Sequence, residues 1–187
     1  MAIFDITAPP IEPVSLDYAK TFLRVDNDDE DVLIGDLIRA ARERIEGLIN
    51  SALITRPRRM RSARLLGKNV FLNHGAVSAV SAVRLLGGAA IVEIPKEALS
   101  INLRCTPPLI ALKTKASFAS FDRAADTLEI DFIAGFGESV DTVPMPLRQA
   151  VLLLLAQSYE YRGQANPPPT IPMMVDALLM PYRGVRL

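Results

Sequence analysis

The 187-residue chain contains one cysteine, one histidine and no tryptophan. A lone Cys105 excludes an intrachain disulfide and any metal cluster built from cysteines. A lone His74 leaves histidine-dependent triads and most zinc sites with at most one ligand of that type. Net charge is zero, so no global field favours nucleic acid or an anionic membrane. The longest apolar run, AVLLLLA at 150–156, falls far short of the ~20 residues that span a bilayer. The opening MAIFDITAPPIEP is acidic and broken by prolines, unlike a secretory signal. What is present is a chain that is 50% hydrophobic, enough for a core, and its length suits one domain with an inserted subdomain. These features predict a soluble protein.

The zero net charge conceals a pattern. Residues 1–50 hold 11 acidic and 5 basic side chains, residues 51–123 hold 3 and 12, and residues 124–187 hold 7 and 4. Such a subunit can present opposite signs on different faces, which suits head-to-tail contact between copies. Solvated surface charge explains the same counts.

Hydrophobic period divides the chain. In EPVSLDYAKTFLRV, Ser15 is a candidate N-cap, and Leu16, Ala19, Phe22 and Leu23 fall on one helical face. In NDDEDVLIGDLIRAARERIEGLIN, Asn27 and Glu30 have capping-box spacing, and Asp28, Asp29, Glu30 and Asp31 crowd the positive end of the helix dipole. Ile34, Leu37, Ile38, Ala41, Ile45, Leu48 and Ile49 make the apolar stripe, with Asp36, Arg39, Arg42, Glu43 and Glu46 largely opposite. Between residues 52 and 135 short apolar runs are broken by Gly, Pro and Asn, which signals strands, and Gly87-Gly88 reads as a hairpin turn. A third helix follows DTVPMP, with Pro146 in its first turn. It is apolar nearly all round to Ala156, and Gly163 is the candidate C-cap. NPPPTIP holds four prolines in seven residues and predicts an extended segment, then one short helix stopped before Pro181. The expected fold is α+β: a mainly helical core (15–50 and 146–163), an inserted small antiparallel β subdomain at about 54–135, and an extended C-terminal tail, the proline-rich linker and docking segment of 164–187.

The candidate chemistry is sparse. Gly135-Phe136-Gly137 lacks the lysine and hydroxyl of a phosphate loop, and Glu138 and Asp141 would repel phosphate, so the glycines read as a flexible strand end. The Asp28–Asp31 cluster lacks the spaced oxygens and central glycine of a calcium loop. His74 reads as a loop residue without a role, Cys105 as a partly buried strand residue, and Glu129 with Asp131 as solvent-facing alternation rather than a glycosidase pair. The run TRPRRMRSARLLGK carries Arg56, Arg58, Arg59, Arg61, Arg64 and Lys68 without an acid. It could meet a neighbouring copy or another partner, lie solvated, or grip DNA phosphates, although stacking aromatics and a helix-turn-helix pattern are missing. Met173, Met174, Val175, Leu178, Leu179 and Met180 have near-helical spacing, while Tyr182, Val185 and Leu187 alternate with Arg183 and Arg186. A segment this apolar needs cover, from its own core or from a partner.

Residues 12–56, EPVSLDYAKTFLRVDNDDEDVLIGDLIRAARERIEGLINSALITR, resemble the opening of the head–tail connector (adaptor) proteins of tailed phages, prophages and gene transfer agents. That family tends to open P-V-S-L-x-x-A-K-x-x-L-R-V-D-x-x-x-E-D, followed by A-R-x-x-x-E and A-L-I-T-[RQ]. Residues 130–163, IDFIAGFGESVDTVPMPLRQAVLLLLAQSYEYRG, resemble the family's strand ending A-G-[YF]-G, its acidic loop, V-P-x-x-[LI]-[RK]-x-A and Y-E-x-R. VDALLMPYRGVRL is similar to its usual C-terminus. The resemblance implies a structural protein without enzymatic activity or cofactor. It implies a homo-oligomeric ring of roughly a dozen copies built by one heterologous contact. The ring would sit under the portal at the neck of a virion or phage-like particle assembled in the bacterial cytoplasm, away from any membrane. It would extend the channel for DNA passing without sequence-specific binding, and would present a platform to a stopper or other neck protein. Residues Leu178, Leu179, Met180, Pro181, Tyr182, Arg183, Val185, Arg186 and Leu187 become the candidate portal-docking tail, with Arg56–Lys68 at an intersubunit or DNA-facing surface. The rivals are a nucleic-acid-binding regulator using the Arg56–Lys68 run and a small hydrolase with an acidic site.

Overall fold

The computed structural model describes residues 2–63, 69–87, 90–113, 118, 125–162 and 171–183. It is α+β and forms two compact units, one of residues 1–8 with 55–135 and the other of 9–54 with 136–187. The sheet unit therefore takes in the first eight residues, which periodicity alone had left out of the β region.

The helical unit holds α1 (Leu16–Leu23), α2 (Asp31–Ile49), α3 (Met145–Glu160) and α4 (Met173–Leu179). Ser15 caps α1, its hydroxyl accepting from the Tyr18 N–H at 3.3 Å. Both α1 and α2 stop at a left-handed residue, Arg24 (φ 59°) and Asn50 (φ 52°), whose N–H groups bond back into the last turn. The capping box at Asn27 does not form. Glu30 is the N-cap of α2, its side chain makes no cap bond, and Asp28 and Asp29 precede the helix. Phe22 likewise departs from the expected face of α1 and is 42% exposed.

Helix α3 packs against α1, α2 and α4, which explains why it is apolar nearly all round: Leu147, Ala150, Val151, Leu152, Leu154 and Leu155 are all buried. Against them lie Ile34, Ile38, Ala41, Ile45 and Ile49 from α2, and Val175 and Leu179 from α4.

The sheet unit contains a five-stranded antiparallel sheet ordered β1-β2-β8-β4-β5 and a three-stranded one ordered β3-β7-β6. The strands are β1 (Ala2–Asp5), β2 (Arg56–Ser62), β3 (Asn69–Phe71), β4 (Val77–Gly87), β5 (Ala90–Glu93), β6 (Leu99–Asn102), β7 (Leu109–Leu112) and β8 (Thr127–Ala134). β4 and β5 form a hairpin with Gly87 opposite Ala90, while Gly88 of the expected turn lies outside the described residues. Central β8 is buried on both faces: Leu128, Ile130, Phe132 and Ala134 point one way, Glu129 and Asp131 the other.

The glycines after β8 serve backbone geometry. Gly135 has φ 148° and donates its N–H to the Ala76 carbonyl at 2.9 Å. A Cβ at Gly137 would fall 2.2 Å from Thr142 Oγ1, so no larger residue fits. Cys105 sits in the bend after β6, not in a strand, with its thiol donating to the Asn102 carbonyl at 3.2 Å.

Candidate functional site

The most concentrated polar constellation lies on one face of the five-stranded sheet. Register sets Arg59 of β2 opposite Asp131 and Arg61 opposite Glu129, while Arg84 of β4 faces Glu129 from the other side. Two carboxylates of the central strand thus lie between arginines of both neighbours, the cross-strand pairing that stabilises sheets. Arg59 grips Asp131 through two bonds, Nε to Oδ1 at 2.6 Å and Nη2 to Oδ2 at 2.8 Å. Arg84 Nη1 reaches both acids, Asp131 Oδ2 at 2.6 Å and Glu129 Oε1 at 3.1 Å, and Arg61 Nε meets Glu129 Oε2 at 2.8 Å. Arg61 also lies over the Phe4 ring, 5.3 Å from its centroid.

Glu129 and Asp131 are only 3% and 7% exposed, because the arginine stems cover them; the solvent-facing reading of this pair is corrected. The guanidinium of Arg59, reinforced by that of Arg84, holds the Asp131 carboxyl below its usual range against the opposing effect of burial.

The opposite face of β2 is also engaged. Buried Arg56 and its neighbour Arg58 converge on Asp5 Oδ1 at 3.0 and 2.7 Å. Arg58 Nη1 donates to His74 Nε2 at 2.6 Å, and His74 Nδ1–H donates to the Gly75 carbonyl at 2.6 Å. The His74 ring meets Phe132 edge-on at 5.3 Å. His74 is thus a buried packing and hydrogen-bonding residue, 3% exposed, not a roleless loop histidine. Of the basic run, Arg56, Arg58, Arg59 and Arg61 are committed to acids within their own unit, and Arg64 and Lys68 lie outside the described residues. Sequence reasoning missed the acids because Asp5 and Asp131 are 51 and 72 residues away from their partners; only register brings them in.

The helical unit buries a smaller cluster. Arg42, expected on the polar face, is 2% exposed and meets Glu12 at 2.7 Å and Glu46 at 3.1 Å. Glu46, also buried, accepts the Leu53 N–H at 2.8 Å and so fixes the chain after α2. Glu30 bonds the Tyr159 hydroxyl and pairs with Arg162 at 2.9 Å, tying the start of α2 to the end of α3. Lys20 lies between Asp28 and Asp31 at 2.5 and 2.7 Å, which pushes its ammonium up to about 12 and lowers Asp28.

The candidate docking tail divides. Leu179 is fully buried and Leu178 packs against the helical core, so both are covered by their own subunit. Tyr182 meets Phe136 edge-on at 6.1 Å, and Arg183 pairs with Asp176 at 2.6 Å. Met180 and Pro181 are exposed. Val185, Arg186 and Leu187, like the proline-rich residues 164–170 and Gly163, lie outside the described residues.

Among the described residues, no group of three or more His, Cys, Asp or Glu side chains is placed to hold a metal ion. No described helix is long and apolar enough to cross a membrane.

Comparison with known proteins supplies the family. Residues 13–73 match the "Phage gp6-like head-tail connector protein" family. A chain from the virion of a native gene transfer agent particle is 30% identical, with a TM-score of 0.80, and the match covers 100% of this chain and 97% of that one. This chain belongs to the head–tail connector family. Connectors of this family are structural proteins, which accords with constellations that here hold strands and helices together. Further chains at 29% identity, with the same coverage, come from the neck of an empty gene transfer agent particle computed with C6 symmetry (TM-score 0.79) and of a native one computed with C12 symmetry (TM-score 0.70). Among curated protein sequences, nothing matches significantly.

Proposed function

We propose that copies of this connector close a ring at the neck of a phage-like particle, beneath the portal, extending the DNA channel and offering a platform to the next neck protein. The observation that carries this reading is the end-to-end match to gene transfer agent chains, some from necks of C6 and C12 symmetry. A rotationally symmetric ring needs one heterologous contact repeated around an axis, and opposite charges on one chain suit such a contact. DNA passes through without sequence readout: the arginines that would grip phosphate are paired with Asp5, Glu129 and Asp131.

The portal contact falls to the end of the chain. Met180 and Pro181 are exposed beyond α4, and the residues after Arg183 continue the alternating apolar and basic pattern. Removing residues 184–187 leaves the packing of Tyr182 and the Arg183–Asp176 pair intact. The truncated protein should melt like the full chain, yet particles made with it should fill with DNA and lack tails. Tailed, infective or transfer-competent particles from that truncation would overturn the docking role. A neck image lacking a ring of this chain would overturn the function.

A further inference from the structure

The three-stranded sheet presents an outer face that its own unit leaves open. Phe71 of β3 stands opposite Leu109 of β7 and is 55% exposed, with Leu109 and Ala111 half-buried beside it on the same face. Arg104 follows β6 at one end of this face and Lys113 follows β7 at the other. Both are exposed, and neither pairs with a carboxylate among the described residues. This is an aromatic knob flanked by two exposed cations.

The helical unit carries a complementary shape. A shallow apolar groove of about 400 Å³ lies along Ile11, Val14, Leu16, Gly35, Ile38 and Val140. Gly35 contributes to the opening, because a Cβ built there meets nothing within 4 Å. Glu12 lines the groove but is held by Arg42 at 2.7 Å, Asp17 follows Leu16 on α1, and Asp36 follows Gly35 on α2, 3.7 Å from Arg39. The groove is apolar inside, and Asp17 and Asp36, each next in sequence to one of its lining residues, are exposed.

We propose that Phe71 of one copy inserts into this groove of the next copy, with Arg104 and Lys113 meeting the exposed carboxylates of Asp17 and Asp36. The occupant is a second copy for three reasons. Knob and groove are two different patches of one chain, which is what a closed heterologous ring requires. Their charges are opposite, so the pairing steers and orients the contact. The volume accommodates a phenyl ring, and an exposed aromatic and an open apolar groove both stay hydrated until they meet. The inference rests on the ring reading above and names the surfaces that would build it.

The test uses full-length chains in particles and in solution. Gly35→Leu adds a side chain at the groove from a position where a Cβ meets nothing within 4 Å, and Phe71→Ser removes the knob from an exposed position. Both should melt within a few degrees of wild type, and both should be lost from purified particle necks at least tenfold relative to wild type. Mixing the two variants at high concentration should give dimers that stop, since one intact knob meets one intact groove and the remaining patches are dead. A folded Gly35→Leu chain that occupies necks like wild type overturns the proposal while leaving the ring reading in place. Absence of the wild-type chain from particle necks overturns the ring reading itself. If Arg104→Glu with Lys113→Glu leaves neck occupancy unchanged but abolishes salt-sensitive duplex binding, the basic face meets DNA and the proposal is wrong.

Discussion

The two units of this connector solve the same problem, burying charge, in opposite ways. The helical unit carries 14 acidic and 9 basic side chains; the sheet unit carries 7 and 12. The helical unit therefore has a net charge of −5 and the sheet unit +5. In the helical unit, most charge stays at the surface over an apolar core, and one buried arginine, Arg42, is neutralised by Glu12 and Glu46. In the sheet unit, charge forms a continuous face across three strands, through Arg59, Asp131, Arg84, Glu129 and Arg61. A helix can turn its polar side to water, but a central strand such as β8 has neighbours on both edges and cover on both faces, so its acids must find partners across the ladder. A high count of one sign in sequence thus measures neither free charge nor a binding surface.

Four substitutions or conditions probe that contrast, from the largest expected effect downward. Ile38→Asp places an unpaired carboxylate in the helical core, where Ile38 is 2% exposed, and should cost about 4 kcal/mol or more. Circular dichroism should show most helical signal lost at 25 °C; a wild-type melt would mean the stripe is not buried. Asp131→Ala breaks the ladder instead. It leaves Arg59 with Glu129, which Arg61 also holds, and Arg84 with Glu129 and Glu93, and should cost roughly 2 kcal/mol, less than a fully orphaned buried charge because both arginines keep an acidic partner and partial solvent access. Urea unfolding should then show the strand signal lost before the helical one, separating units that otherwise melt closer together.

Acid should act on the same ladder. Because the Asp131 carboxyl is held below its ordinary value of about 3.9, its contribution is complete above that pH and is lost as pH falls through the lowered folded value. The urea midpoint of strand loss should decline below about pH 4, and Asp131→Ala should flatten that decline. An equally steep decline in the variant would assign the acid sensitivity to other carboxylates. Gly47→Ala should have the smallest effect and the opposite sign. Gly47 is exposed in the last turn of α2 with nothing within 4 Å of an added Cβ, so alanine should stabilise the helical unit by about 0.5 kcal/mol, read as a raised melting temperature.

Much of the helical unit is legible in the chain. The 3.6-residue stripe of Ile34, Ile38, Ala41, Ile45 and Ile49, the Ser15 cap and Pro146 in the first turn of α3 are local signals, and each maps onto the helix it predicts. Where the stripe misleads, as at Phe22, Arg42 and Glu46, the cause is a third element or an ion partner that local period does not encode. The docking tail is a similar case: apolar spacing identified α4, but only packing on α3 shows that Leu179 is covered by its own subunit.

The sequence by itself determined the long helices, the β character of the region from 56 to 134, the α+β class and the connector resemblance, because all of these rest on spacing within a few turns or strands. Only the tertiary structure decided what the arginines of β2 do. Strand register is a long-range choice, set by which faces bury apolar groups, and it places Asp5, Glu129 and Asp131 beside Arg58, Arg61 and Arg59 across separations no local pattern carries. His74 is buried against Phe132 of β8, while Phe71 in the three-stranded sheet stays open opposite Leu109, because a side chain's fate in a sheet depends on the strand beside it.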